Sequence, residues 1–116
     1  VYADPDGGRH ARPAALRMVP GLAATWPAEA MRAPGFKVLH VQDVDVVSRC
    51  PTLAACLAEV RDWSRAHPRH VPLMVMIELK DTPLKEPRGD IGAVPPVPID
   101  ATQLRALDAA IRAVFD

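Results

Sequence analysis

The sequence predicts an α/β fold in the order strand, helix, strand, helix, with parallel strands and long irregular loops. Three observations carry this. Residues 36–41 and 72–79 are apolar runs of strand length. Residues 52–67 and 100–115 repeat apolar side chains at helical spacing. The connection between the two apolar runs is long enough to hold a helix, as parallel strands require.

A chain of 116 residues is one small domain or part of a larger one. Its apolar fraction of 49% supplies a core and argues against wholesale disorder. A formal net charge of zero argues against a binder held mainly by charge to nucleic acid or anionic lipid. No run of about 18 apolar residues is present, so no transmembrane segment is expected. The chain opens on Val1 and reads as one entered part-way, so the lack of a signal peptide says nothing about its compartment.

Residues 1–3 read as the tail of a truncated strand. Asp4-Pro5-Asp6-Gly7-Gly8 reads as a turn, because proline fixes φ and the glycines permit positive φ. Residues 9–34 then make an irregular loop with short helical turns around 14–18 and 28–32. A loop of that length is uncommon unless it is functional or borders something large. In the strand at 36–41, Val38 and His40 share one face. Thr52 is the expected N-cap of the next helix, which places Leu53, Cys56, Leu57, Val60, Trp63 and Ser64 on one face. Pro68 should end it near His67. The run at 72–79 is apolar throughout, as a strand buried on both faces would be. Residues 82–99 form a proline-rich loop. Asp100 opens the last helix, with Gln103 in capping-box register and an apolar stripe of Leu104, Leu107, Ile111, Val114 and Phe115. A two-stranded parallel unit alone is poorly covered, so the chain reads as a piece of a larger α/β domain.

Parallel strands share a direction, and their carboxyl ends carry the chemistry in such folds. His40, Gln42, Asp43 and Asp45 close the first strand; Glu78, Lys80 and Asp81 close the second. His40 is either a packed core histidine or an acid–base group. A carboxylate closing an apolar strand needs a partner, and Glu78 has a choice of a metal ion, Lys80 or His40. Aspartates after a strand commonly make turns, which is the simpler reading of Asp43 and Asp45, and Gln42 serves equally to cap loop backbone. Lys80 is a phosphate ligand or a solvated lysine. His67 interacts most simply with its helix C-terminus, and His70 lies at the same far end. Trp26 is a candidate membrane anchor, whereas Trp63 is better explained by packing. Cys50 and Cys56 lack a zinc-binding pattern. They either pair in an oxidising compartment or stay reduced.

Several of these stretches have a familiar combination: Tyr2-Ala3-Asp4-Pro5-Asp6-Gly7-Gly8, the run from Pro34 to Asp45, Cys50-Pro51-Thr52-Leu53, Trp63-Ser64-Arg65-Ala66-His67-Pro68, and Val75-Met76-Ile77-Glu78-Leu79-Lys80-Asp81. Together they resemble the bacterial calcium-dependent phosphoinositide phospholipase C family. The resemblance implies an incomplete (β/α) TIM-type barrel fragment, with residues 1–35 as a loop, 36–81 as the βαβ core, 82–99 as a loop and 100–116 as a helix. It also implies cleavage of the glycerol–phosphate ester of phosphatidylinositol by two histidines with Ca2+ assistance. His40 matches the second histidine and Glu78 a metal-binding carboxylate. The first histidine with its adjacent asparagine, and a Glu-x-Asp on the second strand, have no counterpart here, so the chain alone is expected to be inactive. Implied partners are a phosphoinositide head group at a membrane surface and the remainder of the barrel. The implied location is secreted or cell-surface. Two alternatives stand beside this: another phospholipase-C-like phosphodiesterase acting on glycerophosphodiesters or sphingolipids, and a non-catalytic binding domain.

Overall fold

A computed structural model describes residues 1–85 and 91–116. Part of the expected loop at 82–99 therefore lies outside the described residues. The element order is β1 (Tyr2–Asp4), α1 (Ala15–Met18), α2 (Leu22–Thr25), α3 (Ala28–Arg32), β2 (Gly35–Lys37), α4 (Leu53–Ala66) and α5 (Ala101–Phe115).

β1 and β2 pair antiparallel, with Tyr2 opposite Lys37, Ala3 opposite Phe36 and Asp4 opposite Gly35. This differs from the expected parallel pairing of 36–41 with 72–79, which the described residues do not form. The strand expected at 36–41 is shorter and begins one residue earlier. Residues 72–79 belong to no strand, and their side chains are largely exposed: Met74 keeps 96% and Met76 91% of its surface. A strand is completed by hydrogen-bonded neighbours, and the described residues supply one only near the end of this run. Ile77 packs against the Ala3, Phe36, Leu53 and Leu57 cluster. The Val1 nitrogen donates to Glu78 O at 2.7 Å, and Lys80 N donates to Val1 O at 2.9 Å. This alternation is that of a parallel strand pair.

The two long helices form where the sequence places them. The Thr52 hydroxyl accepts from Ala55 N at 3.2 Å. The Asp100 carboxylate accepts from Thr102 N and Gln103 N, so it satisfies two of the orphan donors of α5. His67 closes α4, with its ring Nδ1 2.8 Å from Trp63 O. α4 and α5 pack on each other. Leu53 and Leu57 are buried, and Leu107, Ile111 and Val114 lie against the same cluster. Trp63, Leu104 and Phe115 remain about half exposed, so both apolar stripes are wider than the surface that covers them.

The turn after β1 forms with Gly7 N donating to Asp4 O at 3.2 Å. Gly7 has φ 78°, and a Cβ there would overlap the Arg32 carbonyl oxygen. The turn is thereby pressed against the end of α3.

The core has two parts that meet at β1. Tyr2 joins Ala15, Met31, Leu39 and Val46, whereas Ala3 joins Phe36, Leu53 and Leu57. Successive strand residues point to opposite faces, so one short strand ties both clusters together. A polar cluster is buried alongside: Asp4, His10, Lys37, Gln42 and Asp43 are each at most 3% exposed. Lys37 is fully enclosed; its ammonium donates to Ala33 O and stands 3.7 Å from the Asp4 carboxylate. Ion pairing of this kind is what allows a lysine to be buried at all.

Candidate active site

The site is built on the turn that leaves β2. Val41 and Asp45 exchange backbone hydrogen bonds, Val41 N to Asp45 O at 3.0 Å and Asp45 N to Val41 O at 2.9 Å. Between them Asp43 has φ 67°, a left-handed conformation that aspartate tolerates better than most residues. This tight turn brings His40 and Asp45 together. His40 Nδ1 stands 2.7 Å from Asp45 Oδ2, with the imidazole 71% exposed. A carboxylate is acceptor-only when ionised, so Nδ1 donates and carries the proton of the neutral ring. Nε2 is then left with its lone pair. An imidazole so oriented is equipped to take up and return a proton.

Glu78 and Lys80 reach the same place from another part of the chain. The Lys80 ammonium donates to His40 O at 2.7 Å and stands 3.7 Å from Glu78 Oε2. Three residues singled out in the sequence are therefore neighbours, linked through Lys80. The Lys80 donors are turned toward protein oxygens, and the Glu78 carboxylate faces solvent with 74% of its surface exposed. Asp81 lies elsewhere in its hydrogen bonding: its carboxylate accepts from Ile99 N at 3.0 Å. Gln42 and Asp43 turn inward, and their side chains hydrogen-bond to the Ala14 and Val94 backbone.

The remaining histidines sit apart. His10 packs on Tyr2, with ring centroids 5.6 Å apart. Burial pushes the His10 imidazole below its usual pKa, and the nearby Asp4 and Asp43 charges oppose that shift. His67 and His70 both lie against Trp63, with centroid distances of 4.4 Å and 5.2 Å. Cys50 and Cys56 are joined as a disulfide with Cα atoms 5.4 Å apart, next to the Thr52 cap of α4. Trp26 is half-buried, and its indole N–H donates to Ala11 O at 2.9 Å.

Sequence reading gave Asp45 only the role of a turn former and gave His10 none. The turn itself was the available signal. Asp43, in left-handed geometry between Gln42 and Val44, folds the chain back, and that fold makes residues 40 and 45 meet. Nothing in the local sequence marks His10, because its surroundings come from β1, β2 and the 42–43 turn at once.

As a metal site the described residues are sparse. Among them, no three histidine, cysteine, aspartate or glutamate side chains come together. No helix of the described residues is long and apolar enough to cross a membrane.

A comparison with protein-family profiles matches one described as phosphoinositide phospholipase C, Ca2+-dependent, over residues 1–116. No curated protein and no solved structure matches.

Proposed function

The chain belongs to the calcium-dependent phosphoinositide phospholipase C family, and from this we propose that His40 is an acid–base group in cleavage of the glycerol–phosphate ester of phosphatidylinositol. The observation that carries the assignment is the His40–Asp45 contact of 2.7 Å on an exposed ring. Asp45 holds the imidazole in one tautomer and supports positive charge on it when it takes a proton. With Nδ1 engaged by Asp45 and the side chain 71% exposed, Nε2 is the nitrogen left for a substrate oxygen. In this reading the protonated His40 stabilises charge on the phosphoryl group and gives its proton to the departing diacylglycerol oxygen. The inositol 2-hydroxyl is the attacking group. Its proton is taken by a second histidine, a role that none of His10, His67 or His70 fills, since all three pack on other residues.

The family's cofactor is Ca2+. When bound, it neutralises charge on the phosphoryl oxygens. Calcium takes about six to eight oxygen ligands, and the described residues do not assemble such a set. Glu78 fits as one ligand: its carboxylate is exposed and close to His40 through Lys80. We assign Lys80 first to orienting the His40 backbone, because its ammonium already donates to that carbonyl, and only second to a head-group phosphate. The further parts of this reading are the remainder of a (β/α) barrel, a secreted or cell-surface location and a lipid surface as the place of action.

The test is calcium-stimulated release of inositol phosphates from phosphatidylinositol vesicles by the enzyme that contains this chain. His40→Ala should lower turnover by about 10²–10⁴-fold, the usual range for a positioned acid–base group. Unchanged turnover would remove His40 from the mechanism. Faster hydrolysis of glycerophosphodiesters than of phosphatidylinositol would shift the substrate class while keeping the site.

A further inference from the structure

We propose that Asp43, with Gln42, is the positioning residue that sets the His40–Asp45 pair, an inference that rests on the acid–base reading of His40. Both members of that pair are exposed, and an exposed ion pair contributes little to its own geometry. Something else must hold the two side chains at 2.7 Å. The outer side of the 41–45 turn carries His40 and Asp45, and the inner side carries Gln42 and Asp43, both buried.

The inner side is tied to three distant segments. Asp43 Oδ1 accepts from Ala14 N at 3.3 Å, and Oδ2 accepts from Val94 N at 3.0 Å. Asp43 O accepts from Ala15 N at 2.6 Å. Gln42 Nε2 donates to Val94 O at 2.6 Å, and Gln42 N donates to the Tyr2 hydroxyl at 3.2 Å. One carboxylate thus accepts from Ala14 N and from Val94 N, while its own backbone stands at φ 67°. A left-handed aspartate persists where its surroundings over-determine it. The anchors hold the turn in that conformation, and the turn holds Asp45 against Nδ1. Asp43 therefore acts on the reacting imidazole from behind, through the backbone, without touching it.

The chain labelled with ¹⁵N-histidine tests this by the His40 ring tautomer, read from two-bond ¹H–¹⁵N correlations at a pH where the ring is neutral. The wild-type chain should show a protonated Nδ1 and an unprotonated Nε2, and Asp45→Asn should lose that signature. Asp43→Gly removes both side-chain anchors but suits positive φ. It should lose the signature as fully as Asp45→Asn, with α4 and α5 amide signals unchanged. Asp43→Asn tolerates the same backbone and keeps one carbonyl acceptor, so it should retain most of the signature. Retention would also show that the carboxylate charge is not the cause. A folded Asp43→Gly chain with the wild-type tautomer overturns the proposal. If Asp43→Gly does not fold, Gln42→Ala is read the same way, and hydrogen exchange of Ala14 and Val94 amides decides independently. Free exchange at both amides beside an intact tautomer also overturns it. Because the readout is a ring state and not turnover, an enzyme inert toward phosphatidylinositol would defeat the functional reading and leave this result standing.

Discussion

At the scale of single residues, the chain separates two histidines by environment. His40 stands at the surface against a carboxylate, and His10 is enclosed beside Tyr2. Burial lowers the His10 pKa from the ordinary 6.5, so below that value the unfolded chain binds the proton more readily than the folded one. Stability from His10 is therefore present above about pH 6.5 and is lost as pH falls from there through the lowered folded value. Urea unfolding at pH 7.5 and 5.5 should show a larger loss for the wild-type chain than for His10→Gln, which cannot titrate. Asp45→Asn should reduce lipid cleavage less than His40→Ala does, because it removes the orienting group and leaves the ring. Equal turnover of Asp45→Asn and wild type would mean the contact has no part in catalysis. His40, Glu78 and Lys80 stand out in the sequence by residue type, although no described strand ends at them. Their neighbourhood was legible only in outline, because Lys80 reaches His40 by its side chain rather than through the strand pairing the sequence implied.

At the scale of elements, local chemistry was the better guide. Thr52 and Asp100 cap α4 and α5 because a short oxygen-bearing side chain meets orphan N–H groups there. Thr52→Ala should cost about 1 kcal/mol in chemical denaturation. Leu57, almost fully buried between β2 and the helices, should cost about 2–5 kcal/mol when cut to alanine. A markedly smaller loss would mean that the second core cluster is loosely packed. The strands were read less well. Residues 72–79 have the composition of a buried strand, and composition cannot supply the neighbours that make one. β1 and β2 show the converse: three-residue strands with weak local signals that form because each finds a partner.

At the scale of the whole molecule, the radius of gyration of 15.4 Å exceeds the ~13 Å that size scaling gives for a compact domain of this length. The exposed apolar side chains from Val71 to Met76 point the same way. Surfaces of this kind are sticky. The isolated chain should bind a hydrophobic dye such as ANS, and Met74→Lys with Met76→Lys should reduce that fluorescence; no reduction would place the dye site elsewhere. With His40 as the one histidine at the site, the isolated chain should also show no calcium-stimulated cleavage of phosphatidylinositol. Substantial cleavage would refute the two-histidine reading.

The sequence by itself determined what depends on neighbours in the chain: the helix caps, the Gly7 turn, and the apolar faces of α4 and α5. Tertiary structure alone decided which backbone edges pair, that His10 is enclosed, and that Asp43 is anchored by Ala14 and Val94. The physical reason is range. Capping and periodicity act within about one or two turns of chain, whereas strand pairing, burial and ring orientation are set by residues far away in sequence that the fold brings together.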